Sequence, residues 1–189
     1  MCVLVAVVVA LSLGACGGAD TPALEAAAKL VEPVELGQTV SSIDCPLEKA
    51  AYTEPQAGWE LRFRAGKPWE MHGMTESVFD LVSPKGEVLW GEIASNMGTS
   101  RDVGAVFYRC AKPGPNDADL SEAQLVECRV WDNLVYSLNG GEPGFMPTGE
   151  GNAPERILVT DLGRKIRYSV AEGPGDEPWD VFTFKACAG

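Results

Sequence analysis

The chain predicts an all-β fold, an antiparallel β-sandwich or a small β-barrel of about nine to ten strands, with a short N-terminal helix or coil tether ahead of it. Three observations carry this expectation. Short apolar runs with a period of two recur from residue 59 onward, the repeat of a strand with one buried face. Gly, Pro, Asn and Asp collect between those runs and supply the turns. No longer period of fixed length recurs along the sequence, which argues against a propeller or solenoid.

Taken in order, residues 1–15 are apolar and contain no Asp, Glu, Lys, Arg or His. The run has the length of a signal-peptide core and falls short of the roughly 20 residues that span a bilayer. In the small, polar segment that follows, Leu24–Val31 holds good helix formers, with Glu25 four residues ahead of Lys29; that pairing supports a short helix, and Pro33 ends it. Trp59, Leu61 and Phe63 then alternate with Glu60, Arg62 and Arg64 as a half-buried strand. Ser77–Val82 and Glu87–Ala94 flank Ser83-Pro84-Lys85-Gly86, where Pro second and Gly fourth favour a type I turn and hence a hairpin. Val106, Tyr108 and Cys110 share one face of a run, as do Val126, Cys128 and Val130 of the next, so a second hairpin with a long loop is expected. Ile157–Val159 and Ile166–Val170 flank Asp161-Leu162-Gly163 and predict a third, and Val181–Lys185 completes the set. Only Asn139–Asn152 resists, a long stretch without periodicity. Its apolar centre, Phe145 and Met146, is expected either to form a binding tip or to fold back over one end of the core.

Leu13-Gly14-Ala15-Cys16, followed by Gly17-Gly18-Ala19-Asp20-Thr21-Pro22, resembles the lipobox of bacterial lipoproteins. The resemblance implies cleavage before Cys16 and acylation of its sulfur and new amino group. Residues 1–15 are then a signal peptide, 16–37 a lipidated tether and 38–189 a single β domain in the cell envelope. Gly17, where an Asp would favour inner-membrane retention, implies the outer membrane if the source has two. Membrane lipid is thus the expected partner of Cys16, with each buried methylene contributing about 0.8 kcal/mol and more than one chain making attachment stable.

Charge and cysteine usage bound the rest. A net charge of −12 excludes nucleic acid as a natural partner, and it opposes anionic headgroups, so attachment falls to the acyl chains. Six cysteines are present. With Cys2 removed and Cys16 acylated, Cys45, Cys110, Cys128 and Cys187 remain, an even set that in an oxidising compartment suggests two disulfides. Of the three possible connectivities, the second hairpin favours Cys110 with Cys128, which leaves Cys45 with Cys187 to tie the ends of the domain. C-x-x-C spacing does not occur, so zinc or thioredoxin-like chemistry has no basis.

Chemistry-bearing motifs are few. Trp69-Glu70-Met71-His72-Gly73-Met74 combines soft thioethers with an imidazole and a Trp face, ligands suited to Cu(I), and in composition resembles the copper sites of periplasmic copper chaperones. Trp69, Met71, His72 and Met74 are the metal candidates; the plainer reading is a loop whose methionines fill gaps. Asn116-Asp117-Ala118-Asp119 with Ser121 and Glu122 offers oxygens for Ca²⁺ without EF-hand spacing, and reads as a solvated acidic loop. Asn96–Asp102 carries hydroxyls, an Arg and an Asp that suit a small anion or simply local turn bonds. His72 is the only histidine, and without a G-x-S-x-G elbow or H-E-x-x-H helix the known hydrolase schemes lack their parts. A noncatalytic domain without a cofactor is expected.

Gly163-Arg164-Lys165-Ile166-Arg167-Tyr168-Ser169, followed by Trp179, resembles part of the C-terminal half of lipoproteins that inhibit c-type lysozyme with a small β-barrel. The likeness spans a short stretch and implies no site residues. The expected function is a membrane-anchored binding or envelope-surface module facing a protein or glycan partner. A periplasmic copper or small-ligand carrier is the alternative, and a lysozyme-inhibitor-like barrel a more remote one.

Overall fold

The computed structural model describes residues 43–96, 101–115, 122–170 and 176–188. A 3₁₀ turn, Leu47–Lys49, leads into β1 (Ala50–Thr53), β2 (Glu60–Arg64), β3 (Thr75–Val82), β4 (Val88–Ala94) and β5 (Val103–Phe107). Then come α1 (Glu122–Cys128), β6 (Arg129–Asn139), β7 (Glu142–Gly144), β8 (Arg156–Val159), α2 (Leu162–Ile166) and β9 (Val181–Cys187). Neighbours pair antiparallel in the order β1-β2-β3-β4-β5-β6-β8-β9, and β9 pairs back onto β1. The result is a closed eight-stranded up-and-down barrel, with β7 as a ninth strand added to β6. The barrel, and not the sandwich, is the architecture formed; closure removes the free edges a sheet would otherwise expose.

Register shows why these residues close. Leu61 lies opposite Leu81 and Phe63 opposite Phe79, Leu81 opposite Leu89, Val106 opposite Trp131, Val135 opposite Val159, Ile157 opposite Phe182, and Tyr52 opposite Leu61. All of these are buried in one core. The alternation seen in sequence is therefore the inside–outside alternation of a barrel wall. Two interior positions are glycine because aromatic rings occupy the space beside them: a Cβ on Gly91 would collide with Phe79, and one on Gly104 would lie 2.7 Å from the Trp131 ring. The interior is filled by side chains.

Each end is closed by a connection. At the end where the chain enters β1, Leu47, Met146 and Ala153 are buried, held by Leu47 N donating to Gly151 O (2.8 Å) and Ala153 N to Cys45 O (2.7 Å). At the far end, Leu162, Ile166 and Val170 are buried, while the Trp59 indole donates to Asp176 O (2.7 Å) and the Trp131 indole to Thr160 O (2.9 Å). The expected disulfides form, with Cα–Cα separations of 5.9 Å for Cys45–Cys187 and 5.8 Å for Cys110–Cys128. The expected turn at Ser83–Gly86 also forms, with Gly86 N donating to Ser83 O at 2.9 Å and Gly86 at φ +85°.

Three expectations are corrected. Val126 and Cys128 belong to α1, so the second hairpin is a strand, a helical excursion and a strand; the disulfide fastens that excursion back to the segment after β5. Ile166–Val170 is not a strand but the end of α2 and the turn after it. Residues 139–152 include β7, reached through a two-residue loop in which Gly140 (φ +59°) and Gly141 (φ +93°) both take the left-handed conformation that a type I′ hairpin requires. The signal-peptide, lipobox and tether residues, the acidic loop at 116–121 and residues 97–100 lie outside the described residues.

Candidate functional site

The metal candidates sit on the β2–β3 loop at the entry end. Trp69, Met71, His72 and Met74 are all exposed there. What folds the loop is the residue between them, Glu70, which is buried. Its two oxygens accept from Arg64 Nη1 (2.7 Å) and Nη2 (2.6 Å), and Oε2 also accepts the Lys67 amide (2.9 Å). Arg64 holds the Glu70 carboxyl below its ordinary range, as a bidentate cation should. The chain of charge continues across the outer wall, with Arg64 Nε 3.7 Å from Asp80 and Lys112 Nζ 2.6 Å from the same carboxylate. Met71 packs over Gly66 and lines a cavity at the entry end that neither His72 nor Met74 lines. Among the described residues, no three His, Cys, Asp or Glu side chains converge as a metal site.

Phe145 and Met146 part company. Met146 is 6% exposed and joins the core, its amide donating to buried Asp102 Oδ2 at 2.6 Å. Phe145 stays 54% exposed, with the Arg101 guanidinium 4.9 Å from its ring centroid and 5.7 Å from that of Tyr136. One residue covers the core and the other faces solvent on an Arg-aromatic stack.

A broad depression lies outside the barrel, against β8 and β9. A groove of about 660 Å³ has Arg156, Val181 and Thr183 on its strand floor. Its walls are the β1–β2 turn, Pro55–Ala57, and the excursion between β8 and β9, with Arg164, Arg167 and Glu177–Asp180. The turn is held in shape by buried Glu54, whose oxygens accept the Gln56 (2.7 Å) and Ala57 (2.8 Å) amides. Arg164 pairs with Asp161 and Arg167 with Glu177, and these carboxylates raise both guanidinium pKa values. Arg156 has no carboxylate partner among the described residues, and Arg167 Nε is buried without a hydrogen bond. Trp179, 67% exposed, stands at the rim.

Arg164 and Arg167, from α2 and the turn after it, and Trp179 thus supply part of one wall of this groove. Arg156 and the Glu177–Asp180 wall had no motif to reveal them. One signal was present: Arg156, Arg164, Lys165 and Arg167 place four of the fifteen basic residues within a dozen positions of an acidic chain.

Fold and site together define a small closed β-barrel whose interior is packed and whose concave surface lies outside the wall. No family model, curated protein or solved structure matches the chain.

Proposed function

We propose that the chain is a membrane-anchored bacterial lipoprotein whose extracytoplasmic barrel is a noncatalytic binding module, with the β8–β9 groove as its contact for an anionic protein or glycan. The observation that carries this reading is the convergence of Arg156, Arg164 and Arg167 beside exposed Trp179 in a chain of net charge −12. Guanidinium groups bind carboxylates in a planar, two-toothed manner, and an indole offers a flat apolar face for a sugar ring or side chain. Acylated Cys16 would hold the module at the envelope, on the outer membrane where there are two, while the acidic remainder repels nonspecific anions.

A copper or small-ligand carrier has less support, because the interior is filled and Met71 is the one metal candidate that lines a cavity. A lysozyme-inhibitor-like role rests on the short likeness alone.

Titration with oligogalacturonate and with a Glu-rich peptide tests the reading. Saturable binding of at least one, weakened tenfold or more by Arg156→Glu and by Trp179→Ala, and weakened again by added salt, is expected; tenfold corresponds to about 1.4 kcal/mol. Failure of both probes, or binding untouched by both substitutions, overturns it.

A further inference from the structure

Antiparallel pairing puts the start of β1, the end of β2, the start of β3, the end of β6 and the start of β8 at one end of the barrel. The described chain enters at this end, and the β2–β3 loop carries Pro68, Trp69, Met71 and Met74 there, all exposed. We infer that this loop is a second membrane contact, one that rests on the lipoprotein reading: its apolar side chains dock into the zwitterionic bilayer surface that holds the acyl anchor.

The loop has the form such a contact needs. Glu70, its only acid, is buried against Arg64, so the loop shows solvent Lys67 and no carboxylate of its own. Turns close its backbone, with Glu70 N donating to Lys67 O (2.8 Å) and Thr75 N to His72 O (3.1 Å), which leaves fewer bare polar groups to be taken out of water. An indole favours the boundary where its ring meets hydrocarbon and its N–H stays wet, and a thioether adapts its shape to mobile chains. Phe145, on the connection from β6 to β8, is exposed at the same end with the Arg101 guanidinium against its ring, a second apolar tip beside a cation. Glu48, Glu76 and Glu150 line the recess that Met71 also lines, so this end is repelled by a strongly anionic surface and not by a zwitterionic one.

The course of the chain is what names the bilayer as the occupant. Cys16 lies 27 residues ahead of Ile43, at most about 90 Å when fully extended, so the acyl anchor keeps this end within reach of the surface. Docking is then intramolecular, and a contact too weak to recruit a free protein suffices.

Two exposed indoles mark the two ends and supply the test. Trp69 stands at the entry end and Trp179 at the far end, while Trp59, Trp90 and Trp131 are buried. The acylated full chain is reconstituted into vesicles of phosphatidylcholine brominated on its acyl chains, where bromine quenches an indole that enters the apolar layer. Fluorescence should fall relative to unbrominated vesicles; Trp69→Phe should remove the fall and Trp179→Phe should leave it. Met74→Glu should reduce the fall severalfold while the chain still floats with the vesicles. A chain that floats without bromine-dependent quenching, or whose quenching survives Trp69→Phe, overturns the dock alone. A chain that does not float overturns the anchor and the dock together.

Discussion

Asp102 fastens two distant parts of the chain, since its carboxylate accepts the Met146 amide at 2.6 Å and its carbonyl accepts Val135 N at 3.0 Å. Only the first bond depends on the side chain. Asp102→Ala should cost about 1–3 kcal/mol, the penalty for leaving a buried amide without a partner, and a denaturant midpoint measurement reads it. Glu70 gives a pH-dependent counterpart. Its folded carboxyl titrates below the ordinary value, chiefly through Arg64, so its stabilising effect is complete above the ordinary glutamate range and is lost as pH falls through the lowered value. Glu70→Gln should lower stability near neutral pH by about 1–3 kcal/mol and flatten the acid side of the stability curve. An unchanged acid limb would show that Glu70 does not carry it. Neither role could be read from the sequence, because each is a contact between one side chain and backbone or charge brought near by the fold.

At the scale of elements, what the sequence revealed depended on whether two periods could be told apart. Leu61 and Phe63 lie on a wall with polar neighbours outside, and their strand was legible at once. Ile166, Tyr168 and Val170 carry the same alternation, but a spacing of four places Ile166 and Val170 on one side of a helical turn just as it places them on one face of a strand. Tyr168 decides between them, and it is 90% exposed while Ile166 and Val170 are buried; the helix also recruits Leu162, four positions before Ile166. The hairpin at Gly140-Gly141 was masked in a different way, because glycine and proline crowd the residues that follow it. The disulfides were legible from parity and from strand order, even though α1 replaced one expected strand. Their contributions should differ. By loop-closure entropy, a separation of 142 residues for Cys45–Cys187 gives about 5 kcal/mol and 18 for Cys110–Cys128 about 3 kcal/mol. Paired Cys→Ser substitutions compared by thermal unfolding should show the first as the larger loss.

For the whole molecule, alternation and turn chemistry suffice for an all-β fold, but closure into a barrel depends on β9 returning to β1, a pairing between the two ends of the domain that no local pattern encodes. The groove was hidden for the same reason: its arginines come from a strand and an excursion, and its opposite wall from a turn about a hundred residues earlier. The anchor makes its own prediction. If Cys16 bears acyl chains, the chain partitions into the detergent phase and incorporates labelled palmitate, and Cys16→Ser abolishes both while leaving the barrel folded. Partition and labelling that survive the substitution would remove the lipoprotein reading.

If Cys16 is acylated, any pull on the anchor reaches the barrel through the segment ahead of residue 43. Cys45 lies two positions further on and is bonded to Cys187 at the end of β9. Load therefore passes at once into a covalent bond and divides between the first and last strands, which are paired to each other. Peeling β1 away one hydrogen bond at a time, the easiest way to open a sheet, is closed off. On the lipoprotein reading, the Cys45–Cys187 bridge would thus also brace the point at which the barrel is held.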